Sequence, residues 1–181
     1  PFTYPDGKID IPSGKGRDGG VKYTDYAISQ FIQQAKAKPW FAGTVFVMVA
    51  DHCAGSAHKS ELPVKNYHIP LFIYAPKYLH KARNNTLSSQ IDVAPTVLGL
   101  LNFSYQSQFY GHDILATKPE EGRALISNYQ RLGLYKNNQL AYLSPRQQSD
   151  LFDDPLGIHK QIASEASELP ELLLEDMAYY Q

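Results

Sequence analysis

An acidic residue and a histidine, Asp51 and His52, directly follow a short apolar segment of the chain. Six of the seven residues 44–50 are apolar, and four of these are β-branched or aromatic, which is typical of a buried strand. Open α/β sheets bind ligands just outside the carboxyl ends of their strands. A carboxylate oxygen and an imidazole nitrogen at such a point suit a divalent metal. We therefore predict that both residues are metal ligands; a turn in which Asp51 caps the next segment is the alternative.

Two further histidines follow in the next part of the chain. His58 lies in a loop of small residues and could contact a phosphoryl oxygen, with a solvated position as the alternative. His68 precedes the apolar segment Leu71–Ala75, which predicts a second strand that ends at Pro76. We expect His68 at the edge of the site or at the opposite end of the sheet. Substrate contact and a structural hydrogen bond are both open roles for it.

Cys53, the single cysteine, stands beside the two predicted ligands. It excludes an internal disulfide and does not fix the redox compartment. A third metal ligand is one interpretation. We favour a small buried residue, because free cysteine is among the most buried residue types.

The segments around the predicted site indicate the elements that position it. Apolar residues recur at helical spacing from Val21 to Ala35, ahead of a basic and proline-containing stop, and predict a helix that packs on the sheet. A short helix is predicted over residues 93–101, with Ser89 or Asp92 as its cap. Capping accounts for Asp92, so that we assign it no catalytic role.

The last third of the chain has a different pattern. Three alternating segments, near 124–130, 132–136 and 139–143, predict an antiparallel meander with a turn at residues 136–139. Residues 160–180 are acidic and amphipathic and predict a terminal helix.

Four segments, taken in their order and spacing, resemble the alkaline phosphatase superfamily. More narrowly, they are similar to the sulfatase-like enzymes that include lipoteichoic acid synthase and other phosphoglycerol or phosphoethanolamine transferases. The segments are Val49-Ala50-Asp51-His52-Cys53-Ala54, Tyr67-His68-Ile69-Pro70-Leu71, Ile91-Asp92-Val93-Ala94-Pro95-Thr96-Val97-Leu98 and Phe109-Tyr110-Gly111-His112-Asp113-Ile114-Leu115.

The resemblance implies an α/β fold, the C-terminal part of an alkaline-phosphatase-like sheet flanked by helices, plus a small antiparallel meander and a C-terminal helix. Residues 1–181 are then one portion of a catalytic domain. Its core strands and helices occupy 1–115, the meander 116–150 and the C-terminal helix 151–181. The nucleophile of such enzymes lies in an N-terminal half, and we expect this chain, which begins without Met, to follow that half. No catalytic residue is therefore predicted within the chain.

The implied activity is metal-dependent chemistry on phosphodiester or sulfate ester groups. The leading prediction is transfer of phosphoglycerol or phosphoethanolamine from a lipid donor through a covalent threonine intermediate, with Mn²⁺ as the metal and Mg²⁺, Zn²⁺ or Ca²⁺ as alternatives. A sulfatase with a formylglycine nucleophile is the second prediction. A non-catalytic structural or interaction domain is the third. In each case we expect no turnover by this chain alone.

The implied partners are the missing N-terminal half, a lipid-linked phosphate or sulfate ester, and a membrane reached through an N-terminal anchor outside this chain. The expected location is the extracytoplasmic face of the cytoplasmic membrane, in the periplasm or at the cell surface. The formal net charge of −1 and the 43% hydrophobic content are typical of a globular piece and do not suggest a nucleic-acid binder.

Overall fold

The structure, a computed structural model, describes residues 3–53, 62–153 and 160–163. Two α-helices enclose two strands in the first half of this part, and five strands, with two short 3₁₀ helices among them, follow in the second. In chain order the elements are α1 (Arg17–Lys36), β1 (Phe46–Val49), β2 (Leu71–Tyr74), α2 (Val93–Leu100), β3 (Ala124–Ser127), β4 (Leu132–Lys136), β5 (Gln139–Ser144), β6 (Gln148–Asp153) and β7 (Lys160–Ala163). The predicted α/β fold is therefore confirmed.

The strands form two sheets. β1 and β2 make a two-stranded sheet, and β3 to β7 make a five-stranded sheet in sequential order. Every neighbouring pair in the larger sheet is antiparallel, so that it is a meander as predicted. No helix in the described ranges is long and apolar enough to cross a bilayer.

By internal contacts the chain divides into two compact units. The first comprises the described part of Pro1–Val47 together with Phe72–Lys81. The second comprises the described parts of Met48–Leu71 and Ala82–Gln181.

An aromatic cluster organises the first unit. The ring of Phe46, at the start of β1, lies between 5.5 and 6.3 Å from four other rings. These rings belong to Phe31, Trp40, Phe41 and Tyr74. The cluster ties the end of α1 and the segment after it to the two strands, and so fixes where β1 begins.

Helix α1 is present as predicted, but much of its predicted core face is exposed. Val21, Ile28 and Phe31 are 64%, 41% and 55% exposed, whereas Ala35 is buried. The strand β1 is likewise only partly buried, against the expectation of a buried strand. Periodicity identifies the apolar face of an element, but it does not say whether the same chain supplies the residues that cover that face.

The meander carries the main core of the second unit, with apolar side chains on both faces. Leu134, Ala141 and Leu151 are buried on one face. Ile126, Leu140 and Tyr142 are buried on the other, where Leu62 packs against them with 0% exposure. The alternation along each strand follows from the two-residue period of a β-strand.

The turn between β4 and β5 explains the register of the meander. Asn137 and Asn138 both have positive φ, 50° and 61°, and Lys136 pairs with Gln139 across the turn. A two-residue hairpin turn of this kind needs positive φ at both central positions, which asparagine tolerates better than most residues. The predicted turn is confirmed.

The prediction for the end of the chain is wrong where the structure describes it. Residues 151–153 belong to β6, and residues 160–163 form β7, whereas the sequence predicts a helix from 151 or 160 onward. Pairing with β5 gives β6 its partner, and β6 in turn pairs with β7. The rest of the predicted helix, residues 164–181, lies outside the described residues.

Candidate functional site

The predicted metal ligands lie in a turn directly after β1. Ala50, between the strand and the turn, donates its N–H to the carbonyl oxygen of Pro70 at 3.4 Å. The end of β1 therefore lies beside the segment that enters β2. The side chains of Asp51 and His52 are 86% and 66% exposed, so that both are accessible to a ligand.

Local hydrogen bonds orient both side chains. The backbone N–H of His52 donates to Oδ1 of Asp51 at 2.9 Å. The ring atom Nδ1 of His52 lies 2.9 Å from the carbonyl oxygen of Cys53. A carbonyl oxygen only accepts, so that this bond requires the proton on Nδ1 and leaves the lone pair of the neutral ring on Nε2.

The second ligating atom of each side chain faces that of the other. Nε2 of His52 and Oδ2 of Asp51 are 3.4 Å apart. Two ligands placed about 2.1 Å from one tetrahedral metal are separated by roughly 3.4 Å. A backbone carbonyl that fixes the other ring nitrogen is the usual partner of a metal-binding histidine. The donor types and their spacing thus fit a divalent cation.

The pair supplies only part of a coordination sphere. Within residues 3–53, 62–153 and 160–163, no three His, Cys, Asp or Glu side chains come together at a possible metal site. Most zinc sites in proteins have three or four protein ligands. Harder cations such as Ca²⁺ bind a larger number of ligands, mainly oxygen atoms. Further ligands would therefore come from outside the described part of the chain.

Cys53 contacts the other strand segment through its side chain. Its thiol donates to the carbonyl oxygen of His68 at 2.9 Å. This contact holds the turn against the entry to β2 and gives Cys53 a structural role. The residue is only partly buried, against the expectation of a buried one. His68 consequently lies beside the turn, which is one of the two positions expected for it, and its side chain is exposed.

His58, the other predicted substrate contact, lies in residues 54–61, outside the described residues. Its role stays a prediction. The role of His68 as a substrate contact also stays a prediction.

Gln90 also contacts the turn, although no motif in the sequence points to this residue. Its side-chain nitrogen Nε2 lies 2.7 Å from the carbonyl oxygen of Ala50 and 3.0 Å from that of Asp51. About forty residues separate the partners, so that no local pattern could reveal the contact.

Asp92 is structural, as the sequence predicts. Its Oδ2 accepts the N–H of Ser89 at 2.7 Å, in a capping box with that residue ahead of α2. Its Oδ1 accepts the N–H of His112 at 2.8 Å and lies 3.5 Å from Nη1 of Arg123. Both oxygens of the carboxylate thus bind groups of the same chain. These structural contacts account for an acidic residue at position 92 without a catalytic role.

The Phe109–Leu115 segment is docked on this cap. A Cβ at Gly111 would overlap the carbonyl oxygen of Ile91, so that only glycine permits the approach of the two backbones. Ile114 donates its N–H to Oγ1 of Thr96 at 2.9 Å. His112 contributes its backbone N–H here, which donates to Oδ1 of Asp92.

A cavity of about 520 Å³ opens elsewhere in the second unit. Its lining is mixed in charge and includes none of the residues Asp51 to Cys53. The lining residues are His112, Asp113, Ala116, Thr117, Glu120, Glu121, Arg123, Lys136 and Asn137. The side chain of Arg123 is already committed to Asp92 and to the carbonyl oxygen of Tyr110, and the cavity therefore does not define the candidate site.

Comparison with known proteins gives a structural match and a family match. The chain is similar in structure to a protein in the alkaline phosphatase superfamily from Vibrio parahaemolyticus, with a TM-score of 0.84 and 28% sequence identity. The match covers 96% of this chain and 42% of that chain, in its C-terminal part. This chain thus spans less than half the length of the solved relative.

A family model gives the second match. The model of the Sulfatase family matches residues 3–103, which include β1, the Asp51–His52 turn, β2 and α2. This range is more than half of the 181 residues. The protein belongs to the sulfatase family, within the fold of the alkaline phosphatase superfamily.

Proposed function

We propose that this chain is part of a metal-dependent transferase that moves phosphoglycerol or phosphoethanolamine from a lipid donor to an acceptor. The observation that carries the proposal is the 3.4 Å separation of Asp51 Oδ2 and His52 Nε2 at the exposed end of β1. The family match supports an ester substrate. The narrower similarity of the Asp51–Ala54 and Tyr67–Leu71 segments to the lipid-linked transferases supports the choice of reaction.

Within such a site the residues of this chain would bind the metal ion. Asp51 would present Oδ2 and His52 would present Nε2 to Mn²⁺, with Mg²⁺, Zn²⁺ or Ca²⁺ as alternatives. A divalent cation there supplies charge neutralisation for phosphoryl oxygens and makes a hydroxyl nucleophile more acidic. The bond from Nδ1 of His52 to the carbonyl of Cys53 keeps the other ring nitrogen available.

The covalent step needs a nucleophile from outside the chain. A threonine hydroxyl would attack the phosphorus atom, the diacylglycerol oxygen would leave with a proton, and an acceptor hydroxyl would then displace the threonine. His68 and His58 are proposed to contact the phosphoryl group or the headgroup. The exposed side chain of His68 beside the turn supports this for His68.

The first unit exposes several large apolar side chains, which supports the proposal that another part of the same protein covers them. Val21, Ile28 and Phe31 on α1, with Trp40 and Phe72, are each more than 40% exposed. Val21, Ile28 and Phe31 recur at spacings of seven and three residues along α1, and an exposed apolar helix face of this kind is usually covered in the working protein. We assign its cover to the remainder of the catalytic domain, since the solved relative is more than twice as long as the matched part. A membrane anchor in that remainder would place the enzyme at the extracytoplasmic face, in the periplasm or at the cell surface.

Metal content of the full-length extracytoplasmic domain tests the proposal. Wild type is compared with Asp51→Ala and His52→Ala, and with the matched controls Asp25→Ala and His80→Ala, whose side chains lie on exposed positions elsewhere. Loss of a stoichiometric divalent ion in the first two variants alone supports the site. Unchanged metal content in all four would mean that the turn only terminates a strand, as in a non-catalytic domain.

Sulfate ester hydrolysis is the second candidate function, and the name of the matching family favours it. The nucleophile distinguishes the two reactions. Mass spectrometry of the nucleophile peptide from the full-length protein would show a threonine for the transferase and a formylglycine, derived from cysteine or serine, for the sulfatase. An activity assay makes the same distinction. The transferase should release diacylglycerol from phosphatidylglycerol vesicles, whereas the sulfatase should release sulfate from nitrophenyl sulfate.

A further inference from the structure

The side chain of Gln90 makes an unusual pair of contacts with the end of β1. Its amide nitrogen lies 2.7 Å from the carbonyl oxygen of Ala50 and 3.0 Å from that of Asp51. A side-chain amide has two N–H groups, so that each carbonyl receives its own donor. The two carbonyls belong to successive peptide units, so that the two bonds together constrain the backbone conformation of Asp51, which lies between them.

That conformation departs from a strand. In an extended strand successive carbonyl groups point to opposite sides. Here the carbonyl oxygens of Ala50 and Asp51 both accept hydrogen bonds from Nε2 of Gln90 and therefore point to the same side, because the chain bends at Asp51. Gln90 therefore fixes the turn at the residue from which the carboxylate of Asp51 and then the imidazole of His52 project.

The backbone of Gln90 belongs to a short helix that buried contacts hold in place. It is the first residue of the 3₁₀ helix Gln90–Asp92, whose N-cap is Ser89. The carboxylate of Asp92 closes the capping box, and it is almost fully buried against Arg123. The backbone of Gln90 is thus anchored in the core of the second unit while its side chain reaches the turn.

We propose that Gln90 is a positioning residue for the metal site, an inference that rests on the proposed function. It holds the backbone of Ala50 and Asp51 so that Oδ2 of Asp51 and Nε2 of His52 converge. It touches neither the ligating atoms nor a substrate. Its contribution is preorganisation of the turn, which would otherwise lose conformational freedom when the metal binds.

The test uses the full-length extracytoplasmic domain with Gln90→Met, which keeps a side chain of similar length without the two donors. Gln30→Met on the exposed surface of α1 is the matched control. Mn²⁺ affinity is measured by titration, with free Mn²⁺ followed by electron paramagnetic resonance. Removal of an outer partner of a metal ligand typically lowers metal affinity about 10-fold to 100-fold, and we expect a loss in this range for Gln90→Met and none for Gln30→Met.

A second readout is independent of the metal. Amide hydrogen exchange of residues 50–53 is measured in the metal-free protein, together with its Tm. We expect faster exchange in this segment for Gln90→Met, with the Tm close to that of wild type, since Gln90 is an exposed side chain.

The outcomes separate the two proposals. If wild type binds Mn²⁺ and Asp51→Ala does not, but Gln90→Met binds as wild type does, the positioning role is wrong and the metal site stands. If exchange rises in Gln90→Met while Mn²⁺ affinity is unchanged, the contact is purely structural and the inference is also overturned. If wild type fails to bind Mn²⁺ or any of the alternative cations, the proposed function falls first, and the positioning role falls with it.

Discussion

The carboxylate of Asp92 and the guanidinium of Arg123 form an ion pair that is nearly closed to solvent. Oδ1 of Asp92 lies 3.5 Å from Nη1 of Arg123, and each side chain is 4% exposed. Asp92 also caps the helix at Ser89 and accepts the N–H of His112, while Arg123 donates to the carbonyl oxygen of Tyr110 at 2.7 Å. One buried pair thus joins the start of α2, the Phe109–Leu115 segment and the start of β3.

Removal of either partner should destabilise the second unit strongly. Asp92→Ala leaves a buried guanidinium without its carboxylate, and breaking a buried pair in this way costs about 3–5 kcal/mol. Urea unfolding of the full-length domain measures the change, with the exposed Asp25→Ala as control. The double variant Asp92→Leu/Arg123→Met should recover part of the loss, because it leaves no buried charge; a double variant as unstable as the sum of the single changes would contradict this account.

Gly111→Ala should also destabilise the fold. The new Cβ would overlap the carbonyl oxygen of Ile91, which is backbone and cannot rotate away, and overpacking typically costs about 1–3 kcal/mol or more. Gly43→Ala is the control, because a Cβ there meets nothing within 4 Å. Equal unfolding midpoints for the two variants would show that the Gly111 loop shifts without cost.

Cys53→Ser should leave metal affinity unchanged. The serine hydroxyl can still donate to the carbonyl oxygen of His68, which the thiol contacts at 2.9 Å. If Cys53 were a thiolate ligand, its replacement by serine would instead remove most of the affinity of the site for Zn²⁺. Metal titration of the full-length domain checks this, and Cys53→Ala separates the hydrogen bond from the packing. A large loss of metal affinity in Cys53→Ser would make Cys53 a ligand.

The stability of the second unit should fall at alkaline pH partly through Tyr67. Desolvation by burial raises the pKa of the Tyr67 phenol above its ordinary value of 10.0, since Tyr67 packs against the cluster around Leu62 and Leu140. A raised pKa means that the unfolded chain loses the proton first. The contribution of Tyr67 is therefore complete below the ordinary pKa and is lost as pH rises through the raised one.

Tyr67→Phe tests this pH dependence. Unfolding free energy is measured across the alkaline range, and the variant should show a shallower decline than wild type. Tyr129→Phe is the control, because Tyr129 is 88% exposed. Parallel curves for wild type and Tyr67→Phe would mean that the phenol titrates alike in both states.

The isolated chain should show no turnover of nitrophenyl phosphate or nitrophenyl sulfate. The described residues supply two candidate ligands and no cluster of three, and the covalent step requires a nucleophile that we place outside the chain. The assay compares the isolated chain with the full-length domain at equal concentration and with added Mn²⁺. Robust activity of the isolated chain, abolished in His52→Ala, would place the whole catalytic apparatus within these residues.

Local patterns predicted the elements whose cause is local. The stop after α1, the capping box of Ser89 and Asp92, the asparagine turn after β4 and the alternation of the meander all depend on residues within a few positions of one another. Where strand pairing decided the structure, the pattern failed. The sequence predicts a helix from 151 or 160 onward, whereas the pairing of β5 with β6 and of β6 with β7 makes the described residues of that range strands.

The same division holds for the candidate site. The candidate metal ligands can be recognised from the sequence, because Asp51 and His52 are adjacent and follow an apolar segment. The contact of Cys53 with His68 and that of Gln90 with the turn are visible only in the folded chain. Those contacts join residues 15 to 40 positions apart, and such contacts depend on how the elements pack rather than on any pattern along the chain.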